Sequence, residues 1–377
     1  MENNEIITYT ATCLFGLEKF LGEEIDSLGY KRIETIDGRV TFEGDIGAVA
    51  RCNLHLRYAE RLFINLGSFS ASTFDELFEG TRALPFERWI GKDDAFPVGG
   101  HSVKSLLTSI PDCQKIVKKA AVERMKETYR TDWFNETGVK YQIEFFILRD
   151  RATVMIDTSG VALHKRGYRP AALAAPLRET LAAAMVKISR PREDVLFWDP
   201  MCGSGTIPCE AALMMTNTAP GLLRSFAAQE FESVPKEIWK NAREEALSLI
   251  KKSDFRANCS DIDPHAVETA QANISRAGMD KYVKCFCADA LKIETGGVRG
   301  TVVCNPPYGI RLFDREQTER LYREMGKHFA TLDRWQIYIL TACEDFERLY
   351  GARADKKRRL YNGMIKCGFY QFFKNKK

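Results

Sequence analysis

In the second half of the chain, short apolar runs alternate with longer stretches of helical period. Val195–Trp198, Arg256–Ser260, Val283–Cys287, Thr301–Cys304 and Trp335–Thr341 read as strands, and the run before Asn305 is apolar enough to be a buried parallel strand. Thr206–Met215, Pro264–Arg276 and Arg315–Ala330 read as the helices between them. Met364–Phe373 reads as a last strand, half of a hairpin with Arg359–Tyr361. Repeating strand–helix units predict a mostly parallel sheet covered on both faces. Thr206 is the expected N-cap of its helix, with Pro208 tolerated in the first turn. Thr216–Ser253 is long and helical in composition, and reads as an insertion between the first two units.

The first half follows another pattern. Phe145–Leu148 and Thr153–Ile156 read as paired strands around Arg149–Arg151, and Pro111–Tyr129 as a helix. Gly16–Leu28 is helical, whereas Val40–Phe42 and Arg61–Phe69 are strand-like. This is α+β, so a boundary is expected near Ser159–Pro170. A length of 377 residues allows two or three domains at about 100–200 residues each.

Candidate chemistry collects where the parallel strands end. Asp199-Pro-Met-Cys-Gly-Ser-Gly-Thr206 joins a strand to a helix, and its glycines let a ligand approach free N–H groups. The spacing is not that of a dinucleotide fold, and the missing lysine argues against ATP. Asp199 suits an amino group or a positive centre. Asp261 and Asp263 follow the second strand, where this architecture holds a ribose. Asp289 follows the third and suits an adenine amine. Ribose, adenine and a charged amino acid together spell S-adenosylmethionine. Asn305-Pro-Pro-Tyr308 follows the fourth strand. An amide oxygen, a fixed carbonyl and a ring make a holder for a planar group bearing an exocyclic NH2.

Together these motifs resemble a class I S-adenosylmethionine-dependent methyltransferase of the amino-methylating type. More closely, the second half is similar to the THUMP-domain RNA methyltransferases of the bacterial 23S rRNA guanine-N2 type. Leu163-His-Lys-Arg-Gly-Tyr-Arg169 and the helix start Ala175–Leu181 belong to that pattern. Ser102–Met125 resembles the end of a THUMP domain, an RNA-binding module. The resemblance implies a Rossmann-like methyltransferase domain preceded by an α+β THUMP/ferredoxin-like module. The expected parts are a ferredoxin-like part over 1–45, a THUMP domain over 46–158, a linker over 159–175 and the methyltransferase domain over 176–377, with its insertion at about 216–253. It implies that Asp199, Cys202, Gly203, Ser204 and Gly205 line the methionine part of the cofactor, with Pro200 and Thr206 completing the loop. Asp261 would face the ribose, with Asp263 as second choice, and Asp289 the adenine. Asn305, Pro306, Pro307 and Tyr308 would hold the target base, and Arg178–Thr180 would open the helix beside the cofactor.

The net charge of +4 is mildly basic and argues for nothing alone. Its distribution says more. Lys115, Lys118, Lys119 and Lys126 share one side of the predicted helix. Lys165, Arg166 and Arg169 lie at the predicted domain junction. Lys356, Lys357, Arg358 and Arg359 form the densest basic run, and Lys374, Lys376 and Lys377 close the chain. Lys115, Lys118, Lys119, Lys165, Arg166, Arg169, Lys356 and Lys357 are the expected RNA contacts, with 23S rRNA or a ribosomal precursor as partner, whereas the terminal lysines also read as a solvated tail. The tetrapeptide serves guanine N2 or adenine N6. A catalytically silent RNA-binding assembly factor is the third reading. No signal peptide or membrane-length apolar run is visible, and the eleven cysteines include no CxxC pair. The expectation is a cytoplasmic protein with reduced thiols and no metal. The oligomeric state stays open.

Overall fold

In the computed structural model, residues 5–169, 177–308 and 312–373 are described, with the side chains of 312–314 left aside. Two compact units emerge. One gathers residues up to 13, 21–163 and 225–245; the other gathers 14–20, 164–224 and 246 onward.

The first unit carries a seven-stranded sheet. Its strands are β1 (Ile7–Cys13), β2 (Lys31–Ile36), β3 (Arg39–Gly44), β4 (Ala59–Ser70), β5 (Val98–Val103), β6 (Ile143–Leu148) and β7 (Arg151–Asp157), in the order β2-β3-β1-β4-β7-β6-β5. All pairs are antiparallel except β5 and β6. Buried and less buried residues alternate along β6, as a one-sided sheet requires. Helices α1 (Glu18–Ser27), α2 (Ala48–His55), α3 (Phe74–Arg82) and α4 (Ile110–Tyr129) complete the N-terminal part of the chain. A capping box between Thr73 and Glu76 opens α3.

The segment read as an insertion departs from expectation. Most of 216–253 is irregular, with one longer helix, α7 (Lys236–Ser248). Its residues 225–245 pack with the first unit, not with the second. Aromatic burial decides this. Phe231 stacks on Tyr141 at 4.0 Å, and the Ala228 amide donates to the Thr158 carbonyl at 3.0 Å. Glu245 accepts two bonds from Arg51, each 2.8 Å long.

The second unit carries the alternating pattern. Its helices are α5 (Glu179–Ser189), α6 (Thr206–Met215), α8 (Pro264–Arg276), α9 (Leu312–Thr331) and α10 (Phe346–Tyr350). Its strands are β8 (Leu196–Asp199), β9 (Ala257–Asp261), β10 (Val283–Cys287), β11 (Gly300–Cys304), β12 (Trp335–Thr341), β13 (Lys356–Asn362) and β14 (Ile365–Phe372). The order is β10-β9-β8-β11-β12-β14-β13. The first five are parallel, and the β13–β14 hairpin joins antiparallel to β12. Counted from β8, the order reverses between β8 and β11. Open α/β sheets bind ligands outside the carboxyl ends of the strands at such a reversal.

Beneath that edge, Trp198 and Trp335 meet at 5.9 Å. Trp335 lies so close to Gly300 that a Cβ there would stand 2.3 Å from the indole ring. Its Nε1 donates to the Val298 carbonyl at 2.9 Å. The indole therefore supports β11, the strand that presents Asn305. Trp335→Ala should lower the unfolding free energy of this unit by about 3–5 kcal/mol, read from urea unfolding. A loss below about 1 kcal/mol would show that the ring does not carry β11.

Candidate active site

The loop after β8 is tied down from several sides. The Cys202 amide donates to the Ser260 carbonyl at 3.0 Å, and the Gly203 amide to Asp261 Oδ2 at 2.9 Å. Asn273, buried on α8, donates from Nδ2 to the Ser204 carbonyl at 3.0 Å. Gly205 has φ +75, and a Cβ there would meet that of Ala270 at 2.9 Å. Glycine thus satisfies both backbone and packing demands. Gly205, rather than Thr206, is the N-cap of α6. The left-handed turn carries the chain into the helix, and the Thr206 hydroxyl is engaged elsewhere. Gly203, with φ +50, has open space where a side chain would project.

Above this loop lies a cavity of about 480 Å³. Asp199, Cys202, Gly203, Ser204, Thr206, Asp263 and Asn305 line it. The structure thereby brings the glycine loop, Asp263 and Asn305 to one place. Pro200, Gly205, Asp261, Asp289, Pro306, Pro307 and Tyr308 are not among its lining residues. Asp261 serves the backbone: its Oδ1 accepts from the Asp263 amide at 3.1 Å while Oδ2 holds Gly203. Asp263 caps α8 by accepting from the His265 amide at 2.9 Å. Asp289 accepts from the Leu291 amide at 2.9 Å and pairs with Lys292 at 3.5 Å. His265, Ala266 and Thr269 line the cavity without having been expected. They lie on the first two turns of α8, readable only once Asp263 is known to cap it.

Asp199 is completely buried, and its carboxyl lies well above the usual range because burial penalises the charge. The Met201 amide donates to its Oδ1 at 3.2 Å and partly offsets this. A buried carboxyl raised by desolvation gains most from a cationic partner.

The tetrapeptide differs from expectation in one respect. The Tyr308 hydroxyl donates to Asn305 Oδ1 at 2.5 Å, so one lone pair of the amide oxygen is already occupied. The Pro307 carbonyl is also taken, accepting from the Tyr322 hydroxyl at 2.6 Å. Tyr322 in turn lies 2.8 Å from Thr341 Oγ1, which accepts from the Cys343 amide at 3.1 Å. A hydrogen-bonded chain therefore runs from the end of β12 to the proline turn, and it locks that carbonyl. No sequence motif signalled Tyr322, which lies inside α9.

Residues 166–371 match the family model described as "RMKL-like, methyltransferase domain". The chain belongs to this methyltransferase family. Residues 8–63 match its "RlmL ferredoxin-like domain" and 71–157 a "THUMP domain". The chain is 43% identical, over 97% of its length and 96% of the relative's, to "Putative RNA methyltransferase YpsC" of Bacillus subtilis. It is 30% identical over 96% of its length to "Ribosomal RNA large subunit methyltransferase K/L" of Desulfotalea psychrophila, of which it covers 52%. It spans about half the length of such K/L relatives. Among solved structures, "SMU.472, a putative methyltransferase complexed with SAH" is 39% identical with a TM-score of 0.91, covering 99% of both chains. The "predicted N6-adenine-specific DNA methylase" of Listeria monocytogenes is 45% identical with a TM-score of 0.91, covering 98% and 96%. With this membership the fold is that of a class I S-adenosylmethionine-dependent methyltransferase. The cavity fits the cofactor: an open glycine face, a buried anion and a capped acidic strand end surround it.

Of the expected RNA contacts, several have other work. Arg166 is 2% exposed and lies 3.5 Å from Glu210, so it cannot reach a phosphate. Arg169 donates to Glu179 Oε1 at 2.9 Å, the Leu177 carbonyl at 3.2 Å, Thr206 Oγ1 at 2.7 Å and Ser204 Oγ at 3.3 Å. It is a brace for the loop after β8, where a junction contact was expected. Lys118 donates to Glu136 at 2.6 Å and to the Phe96 carbonyl at 3.0 Å, with its ammonium 3.4 Å from the Phe96 ring centroid. Lys115 is exposed but pairs with Asp112 at 3.2 Å, and Lys119 lies over Phe78. Lys165, Lys356 and Lys357 are exposed. Lys374, Lys376, Lys377 and Gly309 lie outside the described residues. Among the described residues no group of His, Cys, Asp and Glu is arranged to hold a metal ion, and no helix is long and apolar enough to cross a membrane.

Arg169→Lys keeps a charge beside Glu179 but loses the planar fork that reaches two hydroxyls and a carboxylate at once. It should weaken S-adenosylhomocysteine binding about tenfold by calorimetry. Unchanged affinity would show that the brace does not set the loop.

Proposed function

We propose that this protein transfers a methyl group from S-adenosylmethionine to the exocyclic amine of a base in RNA, with guanine N2 of 23S rRNA as the leading target. The observation that carries this reading is the convergence of Asp199 and Asn305 on one cavity at the strand reversal. The THUMP match and the RNA-methylating relatives support RNA as substrate. Adenine N6 is the second reading, favoured by the name of the Listeria relative and by a tetrapeptide that suits either amine.

Asp199 would face the amino-acid end of the donor, with Cys202, Gly203, Ser204 and Thr206 around it. Asp263 would meet the ribose from the cavity wall, with Asp261 holding the loop behind it. Asp289, outside the cavity lining, remains the candidate for the adenine edge. The donor supplies an activated methyl on a good leaving group, so no nucleophilic side chain is needed. Asn305 Oδ1 accepts one N–H of the target amine and the Pro306 carbonyl the other. Both acceptors orient the nitrogen lone pair and stabilise the charge that develops there. Tyr322 and Thr341 keep the proline turn in register, so that nitrogen and methyl approach in line. Before the amine enters, the Tyr308 hydroxyl covers the Asn305 oxygen; on entry that ring shifts to stack on the base, worth about 1–3 kcal/mol.

Asn305→Ala should leave S-adenosylhomocysteine affinity nearly intact and lower transfer of labelled methyl to deproteinised rRNA by at least about 10²-fold. Near-normal turnover would sink the mechanism. Digestion of the labelled RNA decides between N2-methylguanosine and N6-methyladenosine.

Asp199 adds a pH signature. The unfolded carboxyl ionises near about pH 4, whereas the buried one keeps its proton to higher pH. The donor-free fold therefore loses stability as pH rises above the unfolded value. The cationic donor meets the ionised form, so binding releases that proton. Donor affinity should climb as pH rises above the ordinary carboxylate range, and Asp199→Asn should flatten the climb. An affinity independent of pH in the unsubstituted protein would contradict the assignment.

A further inference from the structure

The β13–β14 hairpin has three properties that the fold alone does not require. Between Lys356 and Phe372 it carries Lys356, Lys357, Arg358, Arg359 and Lys366, and not one carboxylate. Its two-residue turn presents Met364 to solvent, 98% exposed, with Ile365 beside it at 39%. Gly363, at φ +63, takes the first turn position, as a primed hairpin turn needs. A large apolar side chain held almost fully in water at the tip of a basic ribbon has no folding role. The third property is position. Cys367, two residue pairs behind the closing Asn362–Ile365 pair, lies with its Sγ 3.7 Å from the Tyr308 hydroxyl, and the Asn362 side chain approaches the same hydroxyl. The tip thus adjoins the ring expected to stack on the target base.

The neighbouring surface extends the pattern. Phe15 is 55% exposed and meets Tyr361 edge-on at 6.0 Å, while Lys366 pairs with Tyr361 across the hairpin. Arg358 is anchored beneath, donating to the Gly16 carbonyl at 3.0 Å with its guanidinium over Phe20. This anchor ties the ribbon to the segment bearing Phe15. Cations interleaved with exposed rings are what a single strand of RNA needs: phosphates meet the charges and bases meet the π-faces. An apolar wedge at a strand gap is how proteins hold open a stack from which a base has left.

We propose that the β13–β14 hairpin grips the RNA strand flanking the target nucleotide, with Met364 filling the gap left when the base turns into the pocket at Asn305. This rests on the reading of RNA as substrate. Lys366, Arg359 and Lys357 would take the flanking phosphates, and the Phe15–Tyr361 pair a neighbouring base. The hairpin then acts on the RNA and not on the methyl donor.

The test compares Met364→Ala, Met364→Leu and Lys366→Glu with the unsubstituted full chain. The probe is deproteinised 23S rRNA from a strain lacking the gene, with S-adenosylhomocysteine calorimetry in parallel. Because Met364 is exposed, all three variants should keep their fold and their S-adenosylhomocysteine affinity. Met364→Ala should lower kcat/KM for RNA about tenfold, and Met364→Leu should restore it to within about threefold of the original. Lys366→Glu should raise KM for RNA and flatten its salt dependence. Met364→Ala with kcat/KM within about twofold of the original would overturn the inference while leaving the methyltransferase reading intact. A defect seen only with ribosomal particles would assign the tip to a protein partner and also overturn it. No methyl transfer to rRNA by the unsubstituted chain would overturn the RNA reading, and this inference with it.

Discussion

Everything at the candidate site depends on β8 and β11 lying side by side at the point where the sheet order reverses. Helices leave that edge in opposite directions, so a crevice opens at the strand ends. Asp199 closes one strand and Asn305 follows the other. Asp199 and Asn305, the proposed donor-binding anion and amine acceptor, thus share a cavity although they are far apart in sequence. The Trp198–Trp335 pair beneath holds the two strands, and Gly300 is what lets the indole come so close.

The polar groups around this crevice divide into those that face the ligand and those that hold the facers. Asp261, Asn273 and Arg169 grip the backbone and hydroxyls of the loop from three sides. Tyr322 and Thr341 do the same for the proline turn. Such holders restrict the motion of the reacting groups before the substrate arrives, which lowers the reorganisation needed at the transition state.

The parallel strands and their order of motifs were legible in the sequence because strand-like and helical stretches alternate there, and β11 reads as an unbroken apolar run. The helix over 264–276 could be delimited because Asp263 and Pro264 mark its start. What was not legible were tertiary choices. The charge of Arg166 and Arg169 suggested phosphate contacts, but Glu210 and Glu179 neutralise them within the fold, and no local pattern reveals a distant partner. Residues 225–245 interrupt the alternating half yet pack with the first unit, because Phe231 finds Tyr141. The cap at Gly205 instead of Thr206 turned on a left-handed backbone that composition does not encode.

Methylation of a guanine amine in ribosomal RNA at the Asn305 pocket is the proposed activity. The most direct measurement is mass-spectrometric mapping of 23S rRNA from a deletion strain, complemented with either the unsubstituted gene or the Asn305→Ala form. One N2-methylguanosine should be lost on deletion, restored by the former and not by the latter. An unchanged 23S rRNA methylation map on deletion, or full restoration by Asn305→Ala, would contradict it.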